Sequence, residues 1–211
     1  MAMYINIHPD NPEPRKINQI ATLLREGGLI IYPTDTIYAI GCDIYNKAGI
    51  EQIIRIKGIK PKEAHFSIVC HDLSHISEYT NSFSRSVFKL MKSTLPGPFT
   101  YILNANKNIP RIYGFKKDTI GIRVPECKIA RDLVQALGNP IIATSVHDDE
   151  DEMLEYLTDP WEINERFGNR VDAVIDGGMG SLDASTIIDA TGEEPLVIRE
   201  GKGKLNIAAH D

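Results

Sequence analysis

Short apolar segments with strand-like patterns alternate with helical patterns along this chain. This alternation restricts it to folds in which helices pack on a β-sheet. The last three strand-like segments, at 171–175, 185–189 and 196–200, leave no room for a helix between them, so we expect antiparallel neighbours there. Earlier strands are predicted at 29–34, 66–70, 99–103, 119–124 and 141–144. The sequence therefore predicts an α/β (α+β) fold, with a mixed sheet and packed helices in one domain over residues 1–211.

Start and stop signals place the helices between these strands. Asn11 is predicted to cap the first helix, with Pro12 in its first turn and Gly27-Gly28 at its end. Asn46 is predicted to cap the second helix, which ends at Gly58. Further helices are predicted after 72, around 83–91, over about 128–137 and from 159 to 168.

Composition narrows the class of protein. The chain has 211 residues, of which 42% are apolar, enough for a buried core and unlike a disordered chain. No apolar stretch approaches the length of a membrane span, and the N-terminus lacks the features of a signal peptide. The three cysteines form neither a disulfide framework nor a zinc pattern. We therefore expect a cytoplasmic protein with no membrane association and no metal site of its own.

Charge is segregated along the chain. The net charge of −6 disfavours non-specific binding to nucleic acids, because neutralised phosphates supply most of that affinity. A local basic cluster at 55–62 and an acidic run at 148–155 stand out against this background. Each is interpreted first as a solvated surface.

Polar groups follow several of the strand-like segments, at the positions where an open α/β sheet usually binds its ligand. Arg123 lies in an otherwise apolar segment, 119–125. Its guanidinium needs an anionic partner there, because burying an unpaired charge is costly. That partner is either a structural Asp or Glu or the carboxylate of a substrate, and the sequence leaves both alternatives open.

The other candidate residues also have two interpretations. Thr144 and Ser145 follow a strand and suit either an anion-binding turn or a helix cap. His147 suits a ligand contact or a surface position, and Lys57 suits an anion contact or ordinary capping of a helix end. The sequence contains none of the common signatures of covalent catalysis, which favours chemistry by positioning and charge neutralisation.

A set of motifs in a fixed order, spanning nearly the whole chain, resembles the YrdC family. The start of the chain, at 7–12, resembles the YciO-type branch of that family in particular. The matching segments are 27–38, the turn at Lys57, 95–100, 121–125, 144–145, 185–189 and 197–201. Each motif alone is weak, but the ordered set is specific.

The resemblance implies a twisted, mixed sheet around a positively lined cavity. It also implies L-threonylcarbamoyladenylate synthase activity, which consumes ATP, L-threonine and bicarbonate and begins the t6A modification of tRNA. Mg²⁺ would enter with ATP, and no permanent cofactor is implied. By position, the family's catalytic and phosphate-facing residue is Lys57. The amino-acid site is carried over to Thr34, Thr36, Arg123 and Ser185, and the nucleotide site to Lys57, Lys60, Thr100, Ser145, His147 and Arg199.

Two positions depart from the family's pattern. Ile59 stands where the family has arginine, and the adjacent Lys60 lacks the planar fork that binds phosphate through two hydrogen bonds. His147 stands where the family has asparagine, and an imidazole reproduces only one of the amide's hydrogen bonds. Losing one charged contact typically costs about 1.5–3 kcal/mol, so these changes predict reduced turnover with ligand binding retained.

The sequence leaves two other functions open. One is binding of tRNA or double-stranded RNA without synthase activity. The basic residues that support it are Arg55, Lys57, Lys60, Lys62, Lys116, Lys117 and Lys202. The other is carbamoyl transfer with a different donor or acceptor, for which the changes at Ile59 and His147 leave room.

Overall fold

A mixed sheet of ten strands organises the part of the chain that the computed structural model describes, residues 1–61, 64–110, 118–146 and 157–205. The strands are β1 (Met3–Asn6), β2 (Ile30–Tyr32), β3 (Ala39–Asp43), β4 (Ser67–Val69), β5 (Phe99–Asn104), β6 (Thr119–Arg123), β7 (Ile141–Ser145), β8 (Ala173–Asp176), β9 (Thr186–Asp189) and β10 (Leu196–Arg199). Their order across the sheet is β1-β8-β2-β3-β7-β4-β6-β5-β9-β10, with parallel and antiparallel neighbours. The predicted mixed α/β sheet is confirmed.

Six helices connect these strands in the same described ranges. They are α1 (Pro14–Arg25), α2 (Lys47–Ile56), α3 (Leu73–Ser77), α4 (Arg85–Thr94), α5 (Lys128–Leu137) and α6 (Pro160–Phe167). Asn46 caps α2 as predicted, since its side chain accepts a hydrogen bond from the backbone N–H of Gly49. The helix α5 ends at Gly138, where a φ of 84° favours glycine. None of these helices is long and apolar enough to span a bilayer.

Helices cover both faces of the sheet at strands β2, β3 and β7. On one face, α1 and α5 pack against Ile30 and Ile141. On the other face, α2 and α6 pack against Ile31 and Ile142. Adjacent residues thus enter different cores, as expected for strands that are buried on both sides. Strands β4, β5, β6 and β9 are covered by α3 and α4 on one face, and their opposite face is available for a site.

The start of α1 differs from the prediction. Its cap is Glu13 and its first residue is Pro14, so the expectation of a cap at Asn11 is wrong. The reason is a local turn, in which Nδ1 of His8 accepts hydrogen bonds from the backbone N–H groups of Asp10 and Asn11. This turn holds the 8–11 segment outside the helix, and Pro14 supplies the first-turn proline instead.

Three features of the sheet also differ from the expectation. The edge strand β1 and the central strand β3 were not predicted, and β8 lies between β1 and β2 rather than beside β9. The chain after β8 crosses to β9 at another part of the sheet. On its way it contacts the connection between β2 and β3, where the backbone N–H of Ser181 donates to the carbonyl of Thr36 and the Tyr38 hydroxyl donates to the carbonyl of Gly178. The expected antiparallel pairing of the last two strands, β9 and β10, is confirmed.

Candidate functional site

A cavity of about 480 Å³ lies on the face of the sheet that continues from the part covered by α1 and α5. Its floor is made of small side chains in neighbouring strands. Ser67 of β4 pairs with Ala143 of β7 on one side and with Gly121 of β6 on the other. A Cβ at Gly121 would lie 2.7 Å from the Oγ of Ser67, so glycine keeps this floor open. The concavity therefore follows from residue size along one row of the pleated sheet.

Most of the site residues predicted from the sequence surround this one cavity. They come from seven separate stretches of the chain. The residues that line it are Thr34, Thr36, Lys57, Thr100, Arg123, Ser145, Ser185 and Arg199. Three of these eight are cations and the other five carry hydroxyl groups, a combination suited to anionic ligands.

The predicted residues reach the cavity from both ends of the sheet. Arg123 and Ser145 are the last residues of β6 and β7. Because β4 runs parallel to β6 and antiparallel to β7, β6 and β7 run in opposite directions, and their last residues lie at opposite ends of the strands. The expectation of a site at one edge, where strands exit together, is therefore wrong. The site instead occupies a face of the sheet.

Arg123 forms an ion pair within the protein. Its Nη2 lies 2.7 Å from the Oδ1 of Asp35 and 2.9 Å from the Oγ1 of Thr36. The Asp35 and Arg123 side chains are only 8% and 11% exposed. The Nε of Arg123 is buried and has no hydrogen-bond partner among the described residues. The predicted structural acid is thus Asp35, which pairs with Nη2, and Arg123 also lines the cavity.

A second cluster of polar side chains lies where β5, β9 and β10 adjoin. The hydroxyls of Thr100 and Ser185 are 2.7 Å apart and buried. The Nη2 of Arg199 donates to the backbone carbonyl of Ser185 at 3.0 Å. Arg199 itself is exposed on the edge strand β10 and also lines the cavity. This arrangement joins two hydroxyls and a guanidinium on one wall.

Lys57 enters the cavity from the end of α2. It is the C-cap residue of that helix and is 9% exposed, and its Nζ donates to the backbone carbonyl of Ser145 at 3.3 Å. Ile59 lines the cavity, whereas Lys60 is exposed and is not among the lining residues. At this turn the apolar Ile59 lines the cavity, and the nucleotide-binding role of Lys60 stays a prediction without support from the lining residues.

Some lining residues were not found from the sequence. His65 and Phe66 precede β4, and Thr119 begins β6. The sequence could have indicated Thr119 as a site residue. It lies two residues before Gly121 and four before Arg123, so all three share one face of the strand. His65 precedes the predicted strand 66–70 and Phe66 is its first, apolar residue, so neither position carries a polar pattern that marks a site, and only the tertiary fold identifies them.

Two titratable side chains beside the site are held in their neutral forms. Burial raises the pKa of the Cys127 thiol, whose Sγ contacts the carbonyl of Pro33. Burial also raises the pKa of the Tyr32 hydroxyl, although the nearby charge of Arg123 acts in the opposite direction. A protonated thiol is a poor nucleophile, which agrees with chemistry that forms no covalent bond to the protein.

Several predicted residues fall outside the described ranges: His147, Lys62, Lys116, Lys117 and the acidic run 148–155. Within the described ranges, no group of three or more His, Cys, Asp or Glu side chains is arranged to hold a metal ion. Lys57 lies in the cavity rather than on an open surface. It is therefore not part of a basic surface for RNA, and the RNA-binding prediction depends on the other residues.

Known proteins with similar sequences cover this chain almost completely. A family model named Sua5/YciO/YrdC, described as "Telomere recombination", matches residues 22–201. The "uncharacterized protein YciO" of Escherichia coli is 44% identical over 207 residues, covering 97% of this chain and 98% of that protein. A "threonylcarbamoyl-AMP synthase" of Coxiella burnetii is 30% identical over 181 residues, covering 85% and 95% of the two chains.

Solved structures show the same architecture. The crystal structure of E. coli YciO matches with a TM-score of 0.88 and 42% identity, covering 98% of both chains. The structure of P. abyssi Sua5 complexed with L-threonine matches with a TM-score of 0.85 and 27% identity, covering 95% of this chain and 58% of that one. The chain belongs to the Sua5/YciO/YrdC family and is similar over nearly its whole length to YciO.

Proposed function

We propose that the cavity binds ATP with Mg²⁺, L-threonine and bicarbonate, and joins them to form threonylcarbamoyl-AMP for the t6A modification of tRNA in the cytoplasm. The observation that carries this proposal is the convergence of Lys57, Arg123 and Arg199 with five hydroxyl side chains on one cavity. The likeness to threonylcarbamoyl-AMP synthases and to a Sua5 protein that binds L-threonine supports the choice of reaction.

The proposed amino-acid site contains Thr34, Thr36, Arg123 and Ser185. Arg123 is fixed by Asp35 through Nη2, and its guanidinium lines the cavity, where it supplies donors to the threonine carboxylate. The Oγ1 of Thr34 donates to the carbonyl of Ile37 and accepts from the N–H of Thr36, so this hydroxyl already has a fixed position. Such pre-positioned groups lower the entropy cost of holding the amino acid.

The proposed nucleotide site uses Lys57, Thr100, Ser145 and Arg199, and it adjoins the amino-acid site where the Thr100 and Ser185 hydroxyls are 2.7 Å apart. Lys57 is the catalytic residue of this proposal because its buried ammonium adjoins Ser145 at the end of β7. Charge that develops on the transferring phosphate is stabilised most strongly by a cation in a site with little water. Mg²⁺ enters with the phosphates of ATP as part of the substrate.

The reaction proceeds in two balanced steps. Bicarbonate gives carbon dioxide and hydroxide, and the amine of threonine attacks the carbon dioxide. A C–N bond forms as one C–O π bond opens to a carboxylate oxygen, and the released amine proton joins the hydroxide as water, which gives a carbamate. A carbamate oxygen then attacks the α-phosphorus of ATP. The bond from that phosphorus to the oxygen shared with the β-phosphorus breaks, and the electron pair leaves with pyrophosphate. Cations are needed because carbamate, carboxylate and triphosphate repel one another.

The test is pyrophosphate release by the purified full-length chain. We expect release when MgATP, L-threonine and bicarbonate are all present, and none above background when any one of them is omitted. Mass spectrometry of the nucleotide product identifies threonylcarbamoyl-AMP. Absence of release with L-threonine, and with other amino acids in its place, would contradict the proposal.

A pair of lysine variants provides the internal control. Lys57→Met should lower the rate by about a hundredfold or more, as expected for the loss of a group that stabilises developing charge. Lys60→Met, three residues away and outside the cavity lining, should stay within about twofold of the wild type. Equal losses in the two variants would remove Lys57 from the proposed role.

A further inference from the structure

Lys202 lies beside the cavity and forms hydrogen bonds to two of the segments that line it. Its Nζ donates to the backbone carbonyl of Asp35 at 2.6 Å, between the lining residues Thr34 and Thr36. Its backbone N–H donates to the carbonyl of Ala184, another lining residue, at 2.9 Å. Lys202 therefore bridges the turn after β2 and the segment before β9, through its side chain and its backbone respectively.

The backbone around Lys202 is fixed although its side chain is exposed. The Oγ1 of Thr186 accepts from the N–H of Gly201 at 2.9 Å and donates to the carbonyl of Gly203 at 2.6 Å. Thr186 is 2% exposed, so both bonds are sheltered from water. The segment from Gly201 to Gly203 is thus attached to β9 on both sides of Lys202, and only the lysine side chain is left to reorient.

The charge of Lys202 is not neutralised within the described ranges. Its ammonium bonds to a neutral carbonyl, and no described carboxylate forms an ion pair with it or with Arg199. The carboxylate of Asp35 is already used, since Oδ1 pairs with Arg123 and Oδ2 accepts from the N–H of Glu126 at 2.9 Å. A hydrogen bond from an ammonium to an anion is stronger than one to a neutral carbonyl, so replacing the carbonyl by an anion is favourable.

We propose that Lys202 is a further anion-binding residue, whose ammonium leaves the Asp35 carbonyl to bind a phosphate group of the ligand in the cavity. This inference rests on the proposed function, because it takes the polyphosphate of that reaction as the anion. Pyrophosphate and ATP share the required chemistry, and both are used as probes.

The experiment compares Lys202→Met with Lys204→Met by isothermal titration calorimetry. Methionine keeps most of the aliphatic length and removes the charge. Lys204 is exposed two residues further along the chain and forms none of the contacts made by Lys202, so it controls for the loss of one positive charge. Lys202→Met should weaken binding of both probes about tenfold, and Lys204→Met should change it less than about twofold. Thermal denaturation checks that both variants fold.

The possible results separate this inference from the proposed function. Binding of both probes by the wild type with equal affinity in the two variants overturns the role of Lys202 and leaves the synthase proposal intact. Binding of pyrophosphate but not ATP, weakened only by Lys202→Met, supports Lys202 and contradicts the synthase. Binding of neither probe by the wild type overturns both.

Discussion

The guanidinium of Arg123 and the carboxylate of Asp35, 88 residues apart in the sequence, form a nearly buried ion pair with an N–O distance of 2.7 Å. Asp35 also accepts from the backbone N–H of Glu126, so one carboxylate joins the turn after β2 to the segment after β6. The ion pair fixes the position of Arg123 beside the cavity, and the Asp35 carboxylate offsets the positive charge that Arg123 brings to the cavity. Arg123 is therefore a structural residue as well as a candidate ligand-binding residue.

Breaking this pair on one side should destabilise the protein more than removing both charges. Arg123→Met leaves the Asp35 carboxylate buried without its cation, which typically costs about 3–5 kcal/mol. The double variant Asp35→Asn/Arg123→Met removes both charges and should recover a large part of that loss. Urea denaturation measures the three free energies of unfolding. A double variant less stable than Arg123→Met would contradict the pair's assignment.

The double variant also separates binding from folding. An Arg123 variant alone does not test ligand binding cleanly, because its effect on stability is expected to be large. The double variant should remain folded and yet lose measurable L-threonine binding in calorimetry. Asp183→Asn, at an exposed acid elsewhere, is the matched control and should change neither property. Retained L-threonine binding in the double variant would show that Arg123 does not contact the amino acid.

Adding one methyl group to the cavity floor should reduce binding with little effect on folding. The Cβ in Gly121→Ala would lie 2.7 Å from the Oγ of Ser67 and 3.4 Å from the Cγ2 of Thr100. The Ser67 hydroxyl can rotate away, and alanine is favoured over glycine in a strand, so stability should change by less than about 1 kcal/mol. The affinity for ATP or L-threonine should fall about tenfold, as measured by calorimetry.

A second glycine provides the comparison for that variant. A Cβ at Gly192 meets no atom within 4 Å, so Gly192→Ala should leave both affinities unchanged. Equal affinities in the wild type and Gly121→Ala would mean that the ligands do not reach the floor formed by β4, β6 and β7.

The sequence predicts those parts of this fold whose signals are local. The bounds of α5 were predicted because a helical apolar stripe meets a strong stop at Gly138. The strand β3 was missed because all of its five residues are buried, and so it has no alternation of apolar and polar residues. The place of β8 between β1 and β2 depends on packing across the sheet, which separation along the chain does not encode.

The candidate site shows the same difference between what local sequence signals predict and what only tertiary packing determines. The sequence established that Arg123 needs an anion, but the choice of Asp35 required the fold, since nothing local links the two residues. Likewise, the ordered motifs identified eight residues that line one cavity. Whether Lys60 or Ile59 faces that cavity depends on how the chain turns after α2, which neither composition nor spacing determines.

Stability should fall in mild acid because of a histidine pair near α3. The Nδ1 atoms of His71 and His75 are 2.9 Å apart, so one must donate and the other accept. Burial lowers the pKa of His75, and the neighbouring His71 lowers it further, while Glu78 and Asp72 act in the opposite direction. The unfolded chain takes up this proton near its ordinary pKa of about 6.5, before the folded state does. Stability is therefore lost as the pH falls through that value towards the lower folded pKa.

The measurement for this prediction is the melting temperature between about pH 7.5 and about pH 5.5. His75→Gln keeps a hydrogen-bonding group but cannot take up the proton, so its melting temperature should fall less over this range than that of the wild type. An unchanged pH dependence in His75→Gln would exclude His75 as the source.

The cap of α2 should contribute to stability through two separable hydrogen bonds. The Oδ1 of Asn46 accepts from the N–H of Gly49 at 2.9 Å, and its Nδ2 donates to the carbonyl of Gly27 at 2.7 Å. Asn46→Asp keeps the cap and loses the second bond, so it should cost about 1 kcal/mol, whereas Asn46→Ala loses both and should cost about 2 kcal/mol. Urea denaturation checks this order, and equal losses in the two variants would show that the cap itself contributes nothing. Because α2 carries Lys57 at its other end, Asn46→Ala also tests whether a weakened start of this helix lowers the affinity for ATP.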